Sequence, residues 1–130
     1  MARVTGIGGI FFRARDPKAL AEWYAKHLGI KLEQWGGARL LWSDEIPAGT
    51  GATAWSPFPQ DTKYFGSSGQ AFMINYRVDD LDALLAQLAA SGAATAPHRQ
   101  DDPSGHFAWI TDPEGNRLEL WQPVKVQSKP

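Results

Sequence analysis

The sequence predicts an α+β domain of two βαβββ modules, their strands forming a curved mixed sheet around a cleft with the helices outside. Three observations lead there. Two segments half a chain apart share a pattern, alternating hydrophobicity gives way to helical spacing in both, and both helical stretches lie between an aspartate and a glycine. Gly9–Asp16 precedes Pro17–Leu28 and Gly29, and Met73–Asp80 precedes Leu81–Ser91 and Gly92. Placing Asp16 on Asp80 also places Phe12 on Tyr76, Arg13 on Arg77 and Leu20 on Leu84, as an internal duplication does.

Each element has a local reason. Ile10, Phe12 and Ala14 alternate with Phe11, Arg13 and Arg15, and Ile74, Tyr76 and Val78 alternate with Asn75, Arg77 and Asp79. Such a period of two marks strands with one face on a core. Asp16 suits an N-cap and Pro17 the first helical position, where its missing N–H is harmless. Asp79 or Asp80 caps the second helix. Leu20, Trp23, Tyr24, His27 and Leu28 form one apolar stripe, and Leu81, Leu84, Leu85 and Leu88 another. Gly29 and Gly92 end the helices.

Short strands follow each helix. In the first module they are Ile30–Trp35, Arg39–Ser43 and Ala52–Ser56, separated by Gly36-Gly37 and a Pro47–Gly51 loop. In the second they are Ala93–Pro97, His106–Thr111 and Asn116–Gln122, with turns at Asp101–Gly105 and Asp112–Gly115. Pro57–Gly69 reads as an irregular, exposed linker and Val124–Pro130 as a frayed tail. The expected organisation is one domain over 1–130, with module one at about 5–58 and module two at about 70–123. One helix covers one face of a sheet, so two modules side by side leave a cleft on the other.

Composition narrows the function. The chain has 130 residues, 43% hydrophobic and 12% aromatic, enough for one ordinary core. A formal charge of -1 argues against a nucleic-acid or membrane-surface partner, both of which want a basic excess. Without cysteine there is no disulfide, thiolate metal site or thiol nucleophile. The first residues lack a secretory pattern and no apolar run approaches about 18 residues, so a soluble cytoplasmic protein is expected. Gly6-Ile7-Gly8-Gly9 lies before and within a strand and is no dinucleotide fingerprint, and no Gly-x-Ser-x-Gly motif occurs.

The strand, aspartate cap and helix ending at Gly29, with the closing run Asp112-Pro113-Glu114-Gly115-Asn116-Arg117-Leu118-Glu119-Leu120, resemble the vicinal oxygen chelate superfamily. Glyoxalases, bleomycin-resistance proteins and extradiol dioxygenases are its members. In the closing run Pro113 pre-sets φ and Gly115 accepts a positive one, which makes a tight turn. The resemblance implies a frequent homodimer and, in metal-using members, four strand-centre ligands of His, Gln or Glu type. Here Glu119 stands at the closing position. Gly9 with its neighbours Gly8 and Ile10, Met73, and Ala54–Ser56 around Trp55 supply no such ligand, and Gln70 is three residues out of register. No cofactor is expected on this donor set, although a metal-dependent reading stays open.

Parity then sorts the candidates. If Glu119 faces the cleft, Arg117 and Trp121 share its side while Leu118 and Leu120 meet a helix. The same reasoning turns Phe11, Arg13, Met73, Asn75 and Arg77 to the cleft. Glu119 is the candidate catalytic residue, or else only the polar face of an amphipathic strand. The candidate ligand contacts are Phe11, Trp42, Trp55, Met73, Asn75, His106, Arg117 and Trp121, with the facing of His106 undecided. His27 suits its helix end and His98 a solvent-exposed loop. Six tryptophans serve a core, a dimer interface or an aromatic cavity. The expected function is binding of a small aromatic or hydrophobic molecule. The alternatives are a metal-free enzyme using Glu119 as acid or base, and a metal-dependent lyase, isomerase or dioxygenase.

Overall fold

A computed structural model describes residues 1–44, 51–67, 69–92 and 98–124. The fold is α+β. In chain order the elements are β1 (Val4–Ala14), α1 (Pro17–Leu28), β2 (Ala38–Leu41), a 3-10 turn (Trp42–Asp44), β3 (Ala52–Pro59), β4 (Phe72–Val78), α2 (Leu81–Ser91), β5 (His98–Asp102), β6 (Gly105–Thr111) and β7 (Arg117–Pro123). The expected Ala93–Pro97 strand, and most of the Pro47–Gly51 loop and of the tail, lie outside the described residues. No helix among the described residues is long and apolar enough to cross a membrane.

The chain divides into two compact units, one of Ile7–Ile74 and one of Met1–Gly6 with Asn75–Pro130. In the first unit the strands run β2-β3-β1, with β3 parallel to β1 and antiparallel to β2. In the second they run β4-β7-β6-β5, with β4 parallel to β7 and the other pairs antiparallel. Opening residues of the chain are fixed in this second unit. Ala2 N donates to Gln87 Oε1 at 3.0 Å, and Gln87 Nε2 donates to Ala2 O at 3.1 Å. Arg3 N donates to Asp79 Oδ1 at 2.9 Å, and Asp79 N donates to Arg3 O at 3.3 Å.

In the first unit Ile30–Trp35 forms no strand, contrary to the sequence reading. Its backbone is used locally: Glu33 N donates to Gly37 O at 2.8 Å and Gly36 N to Glu33 O at 3.1 Å, with Gly36 at φ 96. That turn removes the groups a ladder would need. Helix α1 is also rotated from the expected stripe. Ala21 is its buried residue, flanked by half-buried Pro17, Leu20, Tyr24 and Ala25, whereas Trp23 is 51% and Leu28 63% exposed. Tyr24 rests on Trp55 of β3, with ring centroids 5.0 Å apart. The inward face of the helix is thus marked by the buried Ala21 and half-buried Ala25 with Tyr24, which an apolar count weighted towards large side chains misses.

The segment expected to be an exposed linker is pinned instead. Pro57–Pro59 continues β3, and Phe65 is fully buried. The Arg13 guanidinium donates to the carbonyls of Gln60, Thr62 and Gln70 at 2.8, 2.9 and 2.7 Å and lies 5.1 Å over the Phe65 ring.

The second unit follows its sequence signals at α2, β6 and β7, but β5 occupies His98–Asp102, where the sequence reading has a loop and the start of a turn; ladder pairing with β6 extends these residues. Asp80 caps α2 by accepting from Ala83 N at 3.1 Å, and Gly92 ends it at φ 72. Leu81, Leu84, Leu85 and Leu88 pack on Val78, Ala108, Ile110, Leu118 and Leu120. Strand β5 turns tightly into β6, with Asp102 opposite Gly105.

Candidate functional site

One row of side chains crosses the whole second-unit sheet. Asn75 of β4 lies opposite Glu119 of β7, Glu119 opposite Trp109 of β6, and Trp109 opposite His98 of β5. Side chains alternate along a strand, so these four share a face with Arg77, Phe107, Arg117 and Trp121. Leu118 and Leu120, on either side of Glu119, go to the opposite face under α2.

Glu119 and Asn75 are each only 1% exposed. Asn75 Nδ2 donates to Glu119 Oε1 at 2.5 Å, and Trp109 Nε1 donates to Glu119 Oε2 at 2.8 Å. A carboxylate out of water is tolerable only when its oxygens are so engaged. Asn75 Oδ1 is buried without a hydrogen-bond partner among the described residues.

Aromatic rings flank the carboxylate. Phe107 and Trp121 are 6.0 Å apart and tilted by 5°, and Phe107 and Trp109 are 6.4 Å apart and tilted by 14°. Arg77 lies 5.4 Å over the Trp121 ring and Arg117 5.6 Å over the Trp109 ring, both within cation–π range. Burial pushes Arg77 below the usual guanidinium value, though it remains a cation. The His98 ring sits 5.3 Å from Trp109, and Trp121 Nε1 donates to Ser104 O at 3.0 Å.

The other sequence candidates are distributed differently. Phe11 and Met73 are buried in the first unit, Phe11 opposite Ser56 and 5.3 Å from the Phe58 ring. Trp55 packs on Phe12 and Tyr24, which is the side of α1. Trp42 stands in the 3-10 turn and donates from Nε1 to Thr53 Oγ1 at 3.0 Å. His106 alternates with Phe107, which turns it away from the Glu119 face, and its Nδ1 lies 2.7 Å from Asp101 Oδ1. That contact holds the Asp101 carboxyl below the usual carboxylate range.

Sequence reasoning did not single out Trp109 or Phe107 for the site and set His98 aside in a loop, whereas His98 opens β5. A signal for Trp109 was present in the closing hairpin. Counting back from the Asp112–Asn116 turn pairs Thr111 with Arg117, Ile110 with Leu118 and Trp109 with Glu119.

The positions that hold a divalent ion in metal-using relatives do not fit one here. A Cβ at Gly9 would lie 2.7 Å from Ala54 O, so no ligand-bearing side chain has room there. Met73 offers a thioether, a poor partner for the hard or borderline ions in question. In register, the neighbour of Glu119 is Asn75, an amide already engaged with it. Among the described residues no three or more His, Asp or Glu side chains gather as a metal centre.

Paired β-α-β units with parallel first and last strands define the vicinal oxygen chelate class. The chain belongs to the glyoxalase-like domain family, whose model matches residues 9–121. No curated protein matches the sequence. Among solved structures, a Streptomyces coelicolor methylmalonyl-CoA epimerase variant in complex with 2-nitronate-propionyl-CoA is similar, at 19% identity and TM-score 0.65 over 95% of this chain and 100% of that one. Methylmalonyl-CoA epimerase from Mycobacterium tuberculosis gives 22% identity and TM-score 0.62 over 94% and 90%. An NAD-dependent benzaldehyde dehydrogenase from Legionella pneumophila gives 12% and 0.57 over 88% and 97%. At these identities the likeness is one of fold.

Proposed function

We propose that the protein binds a small planar aromatic or hydrophobic molecule on the Glu119 face of the β4-β7-β6-β5 sheet, and does so without a resident metal. The observation that carries this is a buried carboxylate, held by Asn75 and Trp109, beside three nearly parallel aromatic rings. Rings offer area for a planar ligand, and the carboxylate and amide fix its orientation. Titrating a panel of planar aromatic compounds while following tryptophan fluorescence tests it. Saturable quenching that weakens in Trp121→Ala is expected; a panel with neither quenching nor a thermal shift sinks the reading.

A second reading rests on the same carboxylate. Glu119, water-excluded and aimed at the sheet face, takes a proton from carbon in the bound molecule, the kind of step an epimerase performs. Incubation with methylmalonyl-CoA in deuterated water tests it, with deuterium at the α-carbon as the expected signal. Undiminished exchange in Glu119→Gln removes Glu119 from the chemistry.

A further inference from the structure

We propose that Asn75 selects the ligand by a hydrogen-bond donor: the planar aromatic molecule carries an O–H or N–H group that donates to Asn75 Oδ1. This rests on the sheet-face binding reading above and narrows its ligand class.

The Asn75 amide has two unlike ends, and its surroundings fix which end is where. The end facing Glu119 is Nδ2, which donates to Glu119 Oε1 at 2.5 Å. Oδ1 is left as a buried acceptor with no partner among the described residues. The indole donors on this face are committed elsewhere, Trp109 to Glu119 Oε2 and Trp121 to Ser104 O. Folded proteins rarely leave a buried acceptor without a donor.

An incoming hydroxyl or ring N–H satisfies Oδ1, and its aromatic body lies against Phe107 and Trp121, the half-buried rings of this face. Arg77, Arg117 and Trp121 on the same face are half-buried. A methyl ether or N-methyl analogue of the same shape leaves Oδ1 unsatisfied and adds nothing in return. Sites built to hydrogen-bond a donor discriminate strongly against analogues lacking it.

The experiment is calorimetric titration of the whole chain with matched compounds: 2-naphthol, 2-methoxynaphthalene and naphthalene, then indazole and 1-methylindazole. Naphthalene removes the donor without adding methyl bulk. The expected result is affinity at least about tenfold higher for 2-naphthol and indazole than for their donor-free partners. In Asn75→Leu that preference falls to less than about twofold. If that variant does not fold, the comparison in the unaltered protein decides alone. Equal affinities across a pair, or a preference that survives in folded Asn75→Leu, overturn the proposal and leave the binding reading standing. Binding by no compound of either kind overturns both.

Discussion

The charge-assisted part of the hydrogen bond from Trp109 to the buried carboxylate can be isolated by a double-mutant cycle of Trp109→Phe and Glu119→Gln. Phenylalanine keeps a ring and removes Nε1, which donates to Glu119 Oε2 at 2.8 Å. A hydrogen bond to a charged group contributes about 1.5–3 kcal/mol, and the residual carboxylate oxygen, 1% exposed with its residue, loses its indole donor. The smaller ring adds a cavity term, because Trp109 is only 4% exposed. Glutamine at 119 turns the acceptor neutral, and the Asn75 amide can flip to accept from the new Nε2. The Trp109 bond then falls to the neutral range of about 0.5–1.5 kcal/mol, while the cavity term is unchanged. The coupling energy is therefore about 1–1.5 kcal/mol, with the cavity cancelling in the cycle. Urea unfolding followed by far-UV circular dichroism measures all four proteins. A coupling within about 0.5 kcal/mol of zero would show that the Trp109 bond gains nothing from charge on Glu119.

Three further outcomes are expected. Gly9→Ala puts a methyl 2.7 Å from Ala54 O and 2.9 Å from Ala54 Cβ, and should destabilise by about 1–3 kcal/mol by urea unfolding. Ala54→Gly in the same chain should recover only part of that loss, because the carbonyl contact persists. Trp55→Phe should leave ligand affinity unchanged by calorimetry, since Trp55 packs under α1; a loss comparable to that of Trp121→Ala would place it at the ligand. Asp112 is held below the usual carboxylate range by donation from the Asn116 backbone, then from the Asn116 side chain. A folded-state value below the unfolded one stabilises above about pH 4 and loses that contribution as pH falls further. Asp112→Asn should therefore be less stable than the unaltered chain at neutral pH, with the gap closing towards pH 3; a gap independent of pH refutes this.

What the sequence made legible was local. Cap, leucine stripe and terminal glycine define α2 because each acts within a turn or two of helix. Leu118 and Leu120 likewise reveal that Glu119 points away from α2, since alternation along one strand needs no knowledge of its neighbours. Features depending on distant register were harder. Met73 looked equivalent to Gly9 by repeat position, yet Asn75 is the residue paired with Glu119. The parity of His106 and Trp55 likewise depended on which strand each joined and where. In α1 the conflict was one of size against fit: Trp23 and Leu28 carry more apolar surface, but Ala21 allows the approach that seats Tyr24 on Trp55. In the 57–69 segment the prolines and glycines were visible, while the guanidinium that organises it belongs to Arg13, far away in sequence.

The bonds made by Ala2 and Arg3 bear on how a duplicated chain of this kind comes apart. They join Asp79 and Gln87, so the repeat read from sequence and the compact units read from structure exchange their first few residues. A fragment cut at the sequence repeat would expose the Asp79 amide and carboxylate and strand the Gln87 side chain. Such a half leaves these groups to water or to the opening segment of another copy, so strand exchange between fragments is the failure to watch for when the halves are expressed apart.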